Sequence, residues 1–241
     1  MADRCPRQHS VIPPVRLPLC LPFLPPRLHL SLPLRSVGSS VGTRSRRKPG
    51  GPSPPTEAPG FTFAQPWLTQ TEVGFQPDEV KIAALSHDLL VWADLKAPSR
   101  EHTAPRDHTR LWEQGDVFEI FLQAVGEPGY FEYHLAPNGH ILQLAFPQRW
   151  DRSGDITPFI NPQPRLRSRI SLDPSGWRVF AVVPLPEGNT FSTPRHGRWR
   201  VSFGRYHYRS DGHAVISGTS PHPVPDFHRP AEWSEFTLSS T

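Results

Sequence analysis

The sequence predicts an all-β protein, an antiparallel β-sandwich of jelly-roll type, preceded by a disordered Pro/Arg-rich N-terminal segment. Three observations carry this. From Glu79 onward the apolar residues recur with a period of two, Gly, Pro and Asn/Asp punctuate them at short intervals, and no window offers a long capped amphipathic helix. Strands spaced this closely, with no helices between them, pair antiparallel rather than building a parallel sheet.

The leading segment is set apart by charge. The chain carries 26 Lys/Arg and 22 Asp/Glu; residues 1–52 hold nine of the basic residues and one acid, leaving 17 and 21 in the body. The net charge of +4 therefore belongs to the leader. A nucleic-acid footprint needs basic residues clustered on a folded surface, so no nucleic-acid partner is expected. Val11 to Leu34 is apolar on average, yet seven prolines and the charges of Arg16 and Arg27 interrupt it. It supplies neither the ~20 unbroken residues of a membrane span nor the apolar core of a signal peptide. Ser36 to Thr56 reads as a Gly/Ser/Pro/Arg linker. The expected division is 1–58 as a disordered extension, or one that follows an upstream start chosen in error, and 59–241 as the folding unit. Localisation and oligomeric state stay open.

The strands follow in order. Lys81–Leu85 and Leu89–Leu95 flank Ser86-His87-Asp88 as a hairpin. Asp116–Gln123 follows Gly115, and Tyr130–Leu135 follows the turn signal Gly126-Glu127-Pro128-Gly129. Pro137-Asn138-Gly139 turns the chain into His140–Phe146, a hairpin of the Asn-Gly type. Leu166–Leu172 and Trp177–Leu185 flank Asp173-Pro174-Ser175-Gly176, and Trp199–Tyr208, Ala214–Ser217 and Glu235–Leu238 complete the series. Alternation assigns faces: Phe118, Ile120 and Leu122 oppose Val117, Glu119 and Phe121, while Phe131, Tyr133 and Leu135 oppose Tyr130, Glu132 and His134. Pairing these two strands would gather Glu119, Glu132, Tyr130 and His134 on one surface.

Composition narrows the chemistry. Cys5 and Cys20 lie in the leader, so the body has no disulfide, thiolate zinc site or cysteine nucleophile. The glycines form no P-loop or G-x-G-x-x-G, and the serines no G-x-S-x-G elbow. Histidines are numerous but form no metal-binding pair, and the more ordinary reading of them is as loop residues at Pro-rich turns. All seven Trp follow residue 60. A sugar ring presents an apolar C–H face and a rim of hydroxyls, so a flat aromatic beside charged side chains suits it. Trp112, before the strand that carries Glu119, and Trp233, beside Glu232 and near Arg229, have that setting. For Trp92, Trp177 and Trp199 core packing is the preferred reading.

Leu111-Trp112-Glu113-Gln114-Gly115-Asp116-Val117-Phe118-Glu119-Ile120-Phe121-Leu122, followed by Tyr130-Phe131-Glu132-Tyr133-His134-Leu135-Ala136-Pro137-Asn138-Gly139, resembles the central signature of the family 9 carbohydrate-binding modules. That signature runs W-E-x-D/G-D-x-x-E-I/V-F-L, then Y-x-E-F/Y-x-x-x-P-x-N/G. Ser202–Tyr206 and Ser220–Trp233 resemble the closing segment of the same family, so the likeness covers about residues 60–241. It implies a DOMON-like β-sandwich that binds glycans, often at chain ends, between two aromatic residues, with carboxylate, amide and Arg groups reading hydroxyls. By matching position it implies Trp112 as one wall and Glu119, Glu132 and Arg205 as polar contacts. Trp233 is the candidate second wall, with His228 and Tyr206 as alternatives.

The expected function is non-catalytic carbohydrate binding in polysaccharide catabolism, with an oligo- or polysaccharide partner, through Trp112, Glu119, Glu132, His134, Arg205 and Trp233. No catalytic residue, metal ligand or cofactor is expected. The resemblance allows a structural calcium, but no loop here matches a calcium pattern. Related DOMON-like domains bind haem through Met and His; the body has no Met, which excludes that ligand pair but not a bis-His site. Two other readings remain: a small glycoside hydrolase using Glu119 and Glu132, and a protein-interaction sandwich with exposed aromatics as hot spots.

Overall fold

Strand alternation in the sequence becomes two facing sheets in the computed structural model, which describes residues 30–32, 51–85, 88–96, 102–151, 153–185 and 197–238. The elements are β1 (Leu30–Leu32), β2 (Gly60–Thr62), β3 (Glu79–Leu85), β4 (Asp88–Lys96), β5 (Val117–Ala124), β6 (Tyr130–Leu135), β7 (Ile141–Phe146), β8 (Arg167–Asp173), β9 (Gly176–Pro184), β10 (Gly197–Tyr208), β11 (Ala214–Gly218) and β12 (Ser234–Leu238). Short 3-10 turns at Leu111–Glu113, Thr157–Phe159 and Pro230–Glu232 lie in the longer connections.

The first sheet runs β1-β12-β10-β5-β6-β7, with β11 beside the second half of β10; the other runs β2-β3-β4-β9-β8. Pairing is antiparallel throughout except for β1, which runs parallel to β12. That short strand falls in the segment expected to be disordered. Most of the leader, including the rest of the apolar stretch Val11–Leu34, lies outside the described residues, as do Ser86 and His87 of the expected hairpin turn. Among the described residues no helix is long and apolar enough to cross a membrane.

The main core lies between the sheets. Phe118, Ile120 and Leu122 of β5 and Phe131, Tyr133 and Leu135 of β6 meet Val91, Leu95, Trp177 and Val179 of the other sheet, all nearly inaccessible. Asp78 and Arg205 bridge the layers. Arg205, on the inward side of β10, is ion-paired with Asp78 and donates to the Lys96 carbonyl (2.6 Å), while Asp78 accepts from the Lys96 amide (2.7 Å).

β5 and β6 are buried along their whole length. Their second faces are covered by the long connections β4–β5, β7–β8 and β11–β12, which form a smaller apolar layer around Leu111, Phe121, Tyr130, Phe146, Phe227 and Trp233. The polar residues of the outer face sit inside this layer.

Candidate functional site

The register of β5, β6 and β10 builds the site. Glu119 stands opposite His134 on one side and Gly204 on the other, and Glu132 lies two residues from His134 on β6. Glu119, His134 and Glu132 therefore share the outer face, as the alternation predicted. His134 Nδ1 lies 3.2 Å from Glu119 Oε1, and its Nε2 3.2 Å from Glu132 Oε2. With a carboxylate oxygen 3.2 Å from each ring nitrogen, the charged form of His134 is favoured over the neutral ring. Burial alone would lower its pKa, but the Glu119 charge and the contacts with Glu132 raise it.

The chain of alternating groups continues into the β11–β12 connection. His228 Nδ1 is 2.8 Å from Glu132 Oε1 and 2.8 Å from the Tyr130 hydroxyl, which also accepts from the Trp150 amide at 3.4 Å. Burial opposes ionisation of Glu132, but the His228 charge and hydrogen bonds from both histidines outweigh it and hold the carboxyl at about 2. The pKa of His228 rises against its own burial, chiefly through Glu132. Tyr130 is pushed above its usual range by burial and by the Glu132 charge.

Phe227 fixes the loop that brings His228 in. Its ring lies over Gly204 and Gly218, which face each other on β10 and β11. A Cβ on Gly204 would come within 2.9 Å of both the Phe227 ring and Glu119 Oε2, and one on Gly218 within 2.9 Å of the same ring. Arg149 adds a second tether, donating to the His228 carbonyl (2.8 Å) and pairing with Asp226 (2.9 Å).

Two half-buried tryptophans mark the ends of this polar chain. The Trp112 ring centroid is 5.3 Å from that of His134, with the Arg110 guanidinium 5.8 Å from the Trp112 ring. Trp150, from the β7–β8 connection, is 5.2 Å from His228 at 81° and stacks on Phe146 at 5.2 Å. The structure thus brings Trp112, Glu119, His134 and Glu132 together.

Two expected members are placed elsewhere. Trp233 is 2% exposed; it packs on Phe121 and Tyr130, and its Nε1 donates to the Phe227 carbonyl at 2.9 Å. It has no face to offer a ligand. Arg205 is 1% exposed and points between the sheets, because it shares strand parity with Trp199, Val201 and Phe203. His228, expected as an alternative second wall, instead contacts Glu132 directly, and Trp150, not expected at the site, packs edge-on against His228. The signal for Trp150 was its position in a long, turn-rich connection rather than in a strand. Among the described residues no group of three or more His, Cys, Asp or Glu is arranged to hold a metal.

No protein-family model and no curated protein matches this sequence. Solved structures do. A protein of Bacteroides uniformis ATCC 8492, provisionally described as carbohydrate-binding, aligns over 76% of this chain and 87% of its own at 16% identity and a TM-score of 0.57. A family 9 carbohydrate-binding module of Caldicellulosiruptor kristjanssonii in complex with glucose aligns over 88% and 96%, at 15% identity and a TM-score of 0.55. This chain has the fold of a family 9 carbohydrate-binding module. A module from the same organism in complex with cellotriose gives 17% identity over 76% and 84%, with a TM-score of 0.51. In this module-like fold, the residues that resemble the family's central signature lie on β5 and β6 and in the 3-10 turn before β5.

Proposed function

We propose that this protein binds carbohydrate without transforming it, acting on an oligo- or polysaccharide during polysaccharide breakdown. The observation that carries the proposal is the placement of Trp112 against His134 and Trp150 against His228, with Glu132 joining the two imidazoles. Two aromatic plates at the ends of a fixed polar row suit a ligand with apolar ring faces and a hydroxyl rim. Glu119, His134 and Glu132 are only 2–3% exposed and lie beneath the rings; they hold His228, the partly exposed end of the row, so a hydroxyl at the His228 edge meets a group that loses little freedom on binding. Complexes of the similar modules with glucose and cellotriose support the choice of ligand class.

The geometry favours binding over hydrolysis. A glycosidase needs an open gap between acid and base and one carboxyl held protonated near neutral pH. Here the His134 ring spans the space between Glu119 and Glu132, and Glu132 is held at about 2, far from a general acid. Isothermal titration against gluco-, xylo- and manno-oligosaccharides tests the proposal, with intrinsic Trp fluorescence as a second signal. Saturable heat with at least one series, and no reducing-sugar release, is the expected result. Absence of heat and of spectral change across the panel refutes it.

A further inference from the structure

The outer face of the second sheet carries a different set of residues. Along one row of partners lie Lys81, Trp92, Phe180 and Arg169, an aromatic pair flanked by two cations. The Trp92 and Phe180 rings are 5.4 Å apart at 38°, and both are half-exposed. This face is not bare. The Trp92 indole N–H donates to the Pro52 carbonyl at 2.6 Å, and Gly51 presses on Phe180 so closely that a Cβ there would stand 2.7 Å from the Phe180 Cβ.

The occupant has a definite chemistry. Gly51-Pro52-Ser53-Pro54-Pro55 holds neither helix nor strand, and its prolines fix φ near −65° while biasing the residues before them to extended conformations. Aromatic platforms with an indole N–H donor recognise such segments well, because a pre-extended chain loses little entropy on docking and its carbonyls are free to accept. We propose that the Trp92–Phe180 face is a docking site for proline-rich segments, filled in this chain by its own residues Gly51 to Pro55. A segment tethered this close competes at millimolar effective concentration, so an external proline-rich peptide binds only when the strap is displaced. The inference is independent of the carbohydrate site, which lies on the outer face of the other sheet.

The test uses the full chain and a fluorescein-labelled peptide of residues Pro49 to Thr56, followed by anisotropy. Gly51→Val puts bulk against Phe180 and should raise peptide affinity at least about tenfold over the unsubstituted chain. Adding Trp92→Phe, which removes the indole donor, should abolish the gain. A second variant, Pro52→Gly/Pro54→Gly/Pro55→Gly, loosens the strap without adding bulk and must show the same gain. Circular dichroism confirms folding of each. Natively folded variants that bind no more peptide than the unsubstituted chain overturn the proposal, as does a gain insensitive to Trp92→Phe. So does self-association of the variants without peptide binding, which would assign the face to a second copy.

Discussion

Glu119 and His134 face each other across β5 and β6, and through the other nitrogen of the same ring His134 reaches Glu132 at 3.2 Å. One buried imidazolium thus balances two buried carboxylates, and His228 supplies the second positive charge.

That arrangement makes Glu132 costly to remove. Deleting one member of a buried ionic network leaves its partners uncompensated, typically at about 3–5 kcal/mol. Glu132→Ala is expected to lower stability by that amount, and Glu132→Gln, which keeps an acceptor, by less. Urea denaturation measures both; a loss below ~1 kcal/mol for the alanine variant would show that the network is not coupled.

Stability should also depend on pH in a defined direction. His134 and His228 bind protons more tightly when folded, so their contribution is complete below the ordinary histidine value of 6.5 and is lost as pH rises through their raised values. Glu132 behaves oppositely: its contribution is complete above 4.5 and is lost as pH falls toward about 2. These three groups together contribute most between about pH 4.5 and 6.5, whereas His102 and His222, whose values burial lowers, contribute more as pH rises toward 6.5. The alkaline decline of the urea midpoint should shrink in His134→Gln/His228→Gln. An alkaline decline as large in His134→Gln/His228→Gln as in the unsubstituted chain contradicts the assignment.

Truncating the tryptophans should separate binding from folding. Trp112→Ala and Trp150→Ala are each expected to weaken saccharide affinity at least about tenfold, or ~1.4 kcal/mol, with little change in melting temperature. Trp233→Ala should instead cost about 3–5 kcal/mol of stability, as deletion of a buried indole does. Calorimetric titration and thermal melts on the three variants decide the matter. Equal affinity in Trp112→Ala and the unsubstituted chain would remove it from the site.

Gly204→Ala is expected to displace the Phe227 ring and, with it, His228. Overpacking of this kind costs about 1–3 kcal/mol, and saccharide affinity should fall as well, although residue 204 touches no ligand in the proposed mode. Proton NMR of the His228 ring, shifted relative to the unsubstituted chain, reports the displacement directly.

Much of this was legible before the fold was known, for a physical reason. A period of two fixes which face a residue occupies once its strand is recognised, so Glu119, Glu132 and His134 could be grouped from β5 and β6 alone. Arg205 carried the same signal, sharing parity with Trp199, Val201 and Phe203; the family pattern suggested an outward role that the alternation contradicts. Trp150, Trp233 and His228 lie in connections, where no periodicity applies. Which of their rings turns outward depends on how three long loops return over one sheet. β2, three residues long, was too short for an alternation to show.

The six residues of β6 have consequences for how errors in folding would be sensed. Phe131, Tyr133 and Leu135 join the two sheets, and Tyr130, Glu132 and His134, interleaved with them, form the middle of the polar chain. A slip of one residue against β5 would bury a carboxylate and an imidazole among hydrocarbon and push three large apolar groups under the loops. Chains in the wrong register therefore lose cohesion and recognition in the same step. A population that binds is by that fact one that is correctly paired, and ligand affinity doubles as an assay of strand register.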